Sequence, residues 1–198
     1  MSNQAIEYTI PSPPQDPISS LAFNPNPSKG HQLLVSSWDK TVRLYHLANL
    51  DEASSSDPSK RARLIHTFTH EAPVLDVCWI TDTLAASGGI DRRVRLLNLE
   101  TGQMNIVGKH TAAISKIRFS HSTNLLISCS WDSTLQVWDP SPINPSLLHT
   151  INLPDKVLAM DVSPPYPIKS NVAGTSISII DQTPRLIVGM AEIGRAHV

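Results

Sequence analysis

The chain has 198 residues, of which 40% are hydrophobic and 17% charged, with a formal net charge of −1. That length supports one sizeable core and gives no reason to expect three domains. The balanced charge offers no basic surface to draw nucleic acid and no acidic tail, and the apolar content argues for a strand-rich domain rather than a disordered chain.

Sixteen prolines and eight glycines punctuate the sequence, with clusters at Pro11–Pro17, Pro25–Gly30, Pro140–Pro145 and Pro164–Pro167. Such frequent breakers exclude long helices and favour many short strands. In chain order, Ala5–Ile10 is a short alternating strand. A first unit, about 17–67, opens with a strand at Ile18–Phe23. The strand Leu34–Ser37 leads into a turn carrying Asp39, and an alternating strand runs to Tyr45. A polar surface loop, Asp51–Lys60, precedes an outer strand near Arg63–Thr67. The second unit, about 70–107, has Val74–Trp79, Leu84–Gly89, a turn with Asp91, Val94–Leu97 and Met104–Val107. The third, about 110–153, has Ile114–Phe119, Leu126–Ser130, a turn with Asp132, Leu135–Asp139 and Leu147–Leu153. A fourth, about 157–192, begins at Val157–Val162, is interrupted by a polar loop at about Ser163–Thr183, and resumes at Arg185–Ala191.

The three turn aspartates lie 52 and 41 residues apart. The second spacing fits the roughly 40–45 residue period of a propeller blade, and the loop Asp51–Lys60 accounts for the surplus in the first. Four strands per unit is the composition of a blade. The expected fold is therefore an all-β propeller, partial, with about three and a half blades over residues 1–192.

The third unit resembles the hydrogen-bonded set that locks a WD repeat. His110 lies 22 residues before Asp132, Ser128 four before it and Trp138 six after it. The carboxylate can accept from imidazole and backbone N–H, the imidazole can bridge to the hydroxyl, and the indole N–H can cap the set. The second unit keeps His70, Ser87 and Asp91 but has Leu97 in the Trp position. The first keeps Asp39, has Tyr45 in the Trp position and lacks the His.

Trp38 and Trp131 each precede a turn aspartate, where a side chain projects onto the rim of one propeller face. Two tryptophans at one repeat position, both within reach of water, are unusual, and Trp is a preferred interface anchor. The alternative is packing against a neighbouring blade. Trp79 and Trp138 are expected in the core. Arg92, Arg93 and Arg95 form one basic cluster and Lys60, Arg61 and Arg63 another. Either could meet acidic groups or phosphate, or be a solvated face. Lys40 and Arg43 flank the first turn. Ser128, His110 and Asp132 have the residue types of a hydrolase triad, but no Gly-x-Ser-x-Gly elbow or oxyanion-hole glycine run accompanies them, so no catalytic residue is assigned. The histidines show no metal-ligand spacing, and no glycine-rich phosphate loop occurs, so neither metal nor cofactor is expected. Cys78 and Cys129 read as buried, reduced thiols of an intracellular protein. No basic start followed by an apolar run marks a secretory signal. No apolar run approaches the ~18 residues that suggest a membrane span.

An ordered series of motifs carries a closer resemblance. It comprises Pro13-Pro14-x-Asp16-x-Ile18-Ser19-Ser20, Leu33–Asp39, Val74-Leu75-Asp76, Ser87–Asp91, Val107-Gly108-Lys109-His110, Ser130–Pro140 and Arg185–Gly189. Across residues 8–192 the chain resembles the third, propeller member of the budding-uninhibited-by-benzimidazole group of spindle-assembly-checkpoint proteins. The resemblance implies a seven-bladed, non-enzymatic scaffold, nuclear and at kinetochores in mitosis. It implies binding of GLEBS segments of checkpoint kinases and their relatives, with Trp38 and Trp131 as the partner-binding pair. It also implies recognition of phosphorylated repeats on a kinetochore scaffold, through blades beyond these. The sister family, the nuclear mRNA-export propellers, binds a nucleoporin GLEBS segment and is the alternative. The Ser-Ser-Trp-Asp of the first unit and Val107–His110 favour the checkpoint branch. Neither membrane nor direct nucleic-acid binding is expected. Residues 193–198 read as a non-native tail on a truncated gene model, which would leave two blade faces open and strand Ala5–Ile10 without its sheet, making the chain poorly stable.

Overall fold

The computed structural model describes residues 10–26, 31–48, 61–163 and 185–190 and the backbone of 196–197. The expected strand Ala5–Ile10 (Ile10 excepted), the loop Asp51–Lys60, most of the loop 163–183 and the side chains of the tail 193–198 lie outside the described residues.

Among the described residues every regular element is a strand. The first sheet comprises β1 (Ile18–Phe23), β2 (His31–Ser37), β3 (Thr41–Leu47) and β4 (Ala62–Thr69). The second comprises β5 (Val74–Thr81), β6 (Leu84–Gly89), β7 (Arg93–Asn98) and β8 (Met104–Lys109). The third comprises β9 (Ile114–Ser120), β10 (Leu125–Ser130), β11 (Thr134–Asp139) and β12 (Ser146–Asn152). Each is an antiparallel meander in sequence order. The fourth sheet has β13 (Val157–Val162), β14 (Leu186–Met190) and the two-residue β15 (Ala196–His197), which pairs with β14 at Val188 and Gly189.

The first strands of the sheets, β1, β5, β9 and β13, pack side by side. This is the radial arrangement of propeller blades, and most of the core lies between blades, with a smaller cluster of Leu33, Val35 and Tyr45 within the first. Leu34, Val42, Leu44 and Phe68 of the first blade meet Val74, Val77, Trp79 and Leu97 of the second. Cys78, Ile80, Ala86, Val94 and Leu96 of the second meet Ile114, Ile117, Leu126 and Trp138 of the third. Ile127, Cys129 and Leu135 of the third meet Val157, Met160, Val188 and Met190 of the fourth. Each fully buried Leu, Ile or Val side chain contributes roughly 1.5–3 kcal/mol, so stability is a property of neighbouring blades together. Leu21 and Phe23 on β1, and Leu158 and Ile187 on the fourth sheet, remain exposed.

The blades repeat in their irregularities as well as their strands. Each first strand carries a bulge near its beginning: Ile18/Ser20, Val74/Asp76, Ile114 opposite Ser130, and Val157/Ala159. A bulge bends its strand and re-aims the adjoining turn. Trp79 and Trp138 are buried as expected, and the Trp79 indole N–H donates across the blade boundary to the Ala22 carbonyl at 2.8 Å.

Candidate functional site

The turn between the second and third strands has one construction in all three complete blades. The residue before the turn aspartate donates its backbone N–H to the residue just ahead of the first strand: Trp38 to Pro17 (3.0 Å), Ile90 to Pro73 (2.9 Å) and Trp131 to Ala113 (2.9 Å). The aspartate Oδ1 accepts from the backbone N–H two residues on, in Thr41, Arg93 and Thr134. The residue after the aspartate is left-handed, with φ of 69° at Lys40, 69° at Arg92 and 63° at Ser133. Its carbonyl accepts from His70, His110 and Leu153 respectively.

This frame sets Trp38, Ile90 and Trp131 at one repeat position on one face. Trp38 is 46% and Trp131 37% exposed, against 5% and 3% for Trp79 and Trp138. The two turn tryptophans thus present apolar area to solvent while their backbones are fixed. A fixed backbone lowers the ordering cost of an interface anchor.

In the third blade the side chains of His110, Ser128, Asp132 and Trp138 come together. His110 Nε2 lies 2.8 Å from Ser128 Oγ, and Trp138 Nε1 donates to the same oxygen at 2.9 Å. His110 Nδ1 meets Asp132 Oδ2 at 3.3 Å and Thr134 Oγ1 at 2.9 Å. One tautomer satisfies the network: Nδ1 carries the proton towards Asp132, and Nε2 accepts from Ser128. Burial pushes the Asp132 carboxyl up, but hydrogen bonds from Thr134 and Thr111 outweigh it and hold it well below the usual range. Burial lowers His110, only partly offset by Asp132. The imidazole is therefore a structural connector in its neutral form.

The second blade departs from the expectation. His70 Nε2 does meet Ser87 Oγ at 2.9 Å, but its Nδ1 faces the Phe68 carbonyl at 3.2 Å instead of Asp91. Asp91 pairs with Arg95, which is almost fully buried, at 2.5 Å. The physical reason is competition: a guanidinium carries a permanent charge and attracts a carboxylate more strongly than a neutral imidazole does. His70 is lowered to about 4, by burial first and by the Arg95 charge second. The third blade has Gln136 at the Arg95 position, leaving its aspartate free for histidine.

In the first blade Pro14 occupies the His position and Val35 the Ser position. With no serine to meet, the Tyr45 hydroxyl donates to the Ser12 carbonyl at 2.9 Å, and Arg43 donates to the same oxygen at 3.0 Å. Asp39 accepts from Arg43 and from the Gln15 backbone, both at 3.0 Å. The segment 12–15 thus fills the place that histidine holds elsewhere.

The sequence-level basic cluster 92–95 does not form. Arg95 is interior, Arg93 pairs with Glu71, and Arg92 alone of the three is exposed. Of the other cluster, Lys60 lies outside the described residues and Arg63 is exposed. Sequence reasoning missed Asp76. It is fully buried and accepts from Arg118 Nη1 (2.5 Å) and the Ile117 N–H (3.0 Å) of the next blade. Cys78 and Cys129 are buried free thiols, both raised by burial, Cys129 to about 12. Among the described residues no group of three or more His, Cys, Asp or Glu side chains could hold a metal ion.

Comparison with known proteins adds the following. The family described as "WD domain, G-beta repeat" matches residues 6–46, 62–98 and 103–139. The chain is 35% identical over 78% of its length to a "Poly(A)+ RNA export protein" of Schizosaccharomyces pombe, covering 41% of that protein. It is 32% identical over 79% of its length to "Mitotic checkpoint protein bub-3" of Caenorhabditis elegans, covering 43%. It is 37% identical over 66% of its length to "Mitotic checkpoint protein BUB3.1" of Arabidopsis thaliana, covering 34%. The chain thus spans less than half the length of these curated relatives. The WD40 β-propeller domain of Doa1 has the same fold, with a TM-score of 0.57 at 21% identity, covering 73% of this chain and 44% of that one.

Proposed function

The chain belongs to the WD40-repeat family, with homologues named both as mitotic checkpoint proteins and as mRNA export factors, and from that premise we propose that it is a non-catalytic scaffold of the mitotic spindle assembly checkpoint. It binds GLEBS-type segments of checkpoint kinases and brings them to kinetochores, working in the nucleus. Recognition of phosphorylated repeats on a kinetochore scaffold belongs to the same proposal.

The observation that carries this reading is the pair Trp38 and Trp131, exposed at one repeat position on backbones held by equivalent hydrogen bonds. Water-exposed tryptophans on a rigid turn are suited to anchor a peptide laid across the face. A second reading is an mRNA-export adaptor that binds a nucleoporin GLEBS segment with the same tryptophans. It is supported by relatives with export names in Schizosaccharomyces pombe and Chaetomium thermophilum, each 35% identical.

The test is calorimetric titration of the protein with a GLEBS peptide of a checkpoint kinase and one of a nucleoporin. Tighter binding of the kinase peptide supports the checkpoint reading, and tighter binding of the nucleoporin peptide supports the export reading. Binding of neither removes both.

A further inference from the structure

The opposite face of the blades, away from Trp38 and Trp131, holds a cavity of about 680 Å³. It is built where the first strands end. Asn26 follows β1, Asp82 lies in the turn after β5, His121 follows β9, and Asp161 and Ser163 close β13. Its size falls within the roughly 300–1,000 Å³ of typical ligand sites. Pro25, Ile80, Phe119 and Val162 give it apolar walls.

The charges around it do not balance. Among the described residues Arg118 is the one permanent cation lining the cavity, beside the imidazole of His121, and its Nη1 is already matched by the buried Asp76 carboxylate at 2.5 Å. Its Nε also forms an ion pair with Asp161 Oδ1 at 3.8 Å, longer than a hydrogen bond. The Asp161 side chain is 87% exposed. Asp82 is oriented by a bond from Asn26 Nδ2 at 2.8 Å, which fixes the carboxylate without neutralising it. Among the described residues, two carboxylates from different blades therefore face an apolar-walled cleft and share with Asp76 a single guanidinium, that of Arg118. Phe119 and His121 line the same cleft, their rings in T-shaped contact with centroids 4.9 Å apart.

We infer that this cleft is a second docking site, for an extended protein segment that carries an arginine or lysine between apolar residues. The basic side chain lies between Asp82 and Asp161, and its apolar neighbours rest on Ile80, Phe119 and Val162. The site is independent of the tryptophan face and of the function proposed for it. A protein using both faces can hold two partners at once.

The experiment uses the purified protein and a fluorescein-labelled heptapeptide with central arginine flanked by leucine and valine. Two counterparts carry citrulline or glutamate at the centre. Saturable binding of the arginine peptide is expected, weakened about tenfold by citrulline and to a similar degree by the variant D82N/D161N. Trp38→Ala should leave it unchanged. A shift in melting temperature separates loss of the site from loss of the fold, and D161N alone, at an exposed position, serves if the double variant is unstable. Equal binding of the arginine and citrulline peptides, tightest binding of the glutamate peptide, or no saturable binding would each overturn the inference.

Discussion

The indole of Trp138 occupies the space in which a side chain at Gly108 would have to stand. A Cβ there would fall well inside van der Waals contact with Cη2 and Cζ3 of the ring. The ring is 3% exposed and tethered by its N–H to Ser128, so it cannot swing aside. Gly108→Ala should therefore destabilise the protein by roughly 1–3 kcal/mol, the usual cost of overpacking. Combined with Trp138→Leu, the residue type that Leu97 supplies in the second blade, the alanine should cost much less. Urea midpoints of the two single variants and the double variant check this. Strict additivity would mean that the contact is not the cause.

The repeat itself was legible from residues alone, because the turn aspartates and the alternating strands recur at a blade's period. The polar set of the third blade was legible from spacing. The rewiring in the second was not, since histidine, serine and aspartate stand at the same offsets there. The missed signal was the basic residue four after the aspartate, Arg43 in the first blade and Arg95 in the second, against Gln136 in the third. A cation at that offset takes the carboxylate from the histidine. The Asp76–Arg118 pair, 42 residues apart, joins successive blades. It could not be inferred before the blades were placed side by side.

Stability should fall as the medium is acidified through the histidine range. His70 titrates at about 4 in the folded protein against an ordinary 6.5. The unfolded chain therefore binds a proton below 6.5 that the folded one refuses until about 4. Stability is fully present above 6.5 and declines as pH falls to about 4, by about 3 kcal/mol if the whole shift is expressed. His110 shifts in the same direction. Asp39 and Asp132, both lowered, add a further loss only below their ordinary 3.8. Urea midpoints at pH 7.5 and 4.5 should differ, and His70→Gln, which can still meet Ser87, should shrink the difference. An unchanged difference in that variant would acquit His70.

The Arg95–Asp91 pair should behave as a buried ion pair, costly to halve and cheap to remove. Arg95→Met leaves the carboxylate buried without its partner and should cost about 3–5 kcal/mol, whereas Arg95→Met with Asp91→Asn should recover most of that. The single variant makes a second, spectroscopic prediction. Removing the guanidinium charge lifts one of the two forces holding His70 down, so the NMR titration midpoint of its imidazole should rise. A midpoint that stays put would show that burial alone sets it.

Trp38→Ala and Trp131→Ala should each weaken binding of a GLEBS peptide by roughly 2 kcal/mol or more, about thirtyfold in Kd. Neither should lower the urea midpoint much, because both rings face solvent and their turns are held by backbone bonds and aspartate caps that alanine preserves. Trp79→Phe supplies the converse. It loses the indole bond to Ala22 across the first blade boundary and should lower stability while leaving peptide affinity nearly intact. Calorimetric titration and urea melts of the three variants separate the two roles. If Trp38→Ala binds as tightly as the parent, the exposed indole is not an anchor, and the proposal loses the observation that carries it. If both turn variants bind weakly but Trp79→Phe does not, the face bearing the turns is the site, and the kinase and nucleoporin peptides can then be ranked on it to decide between the checkpoint and export readings.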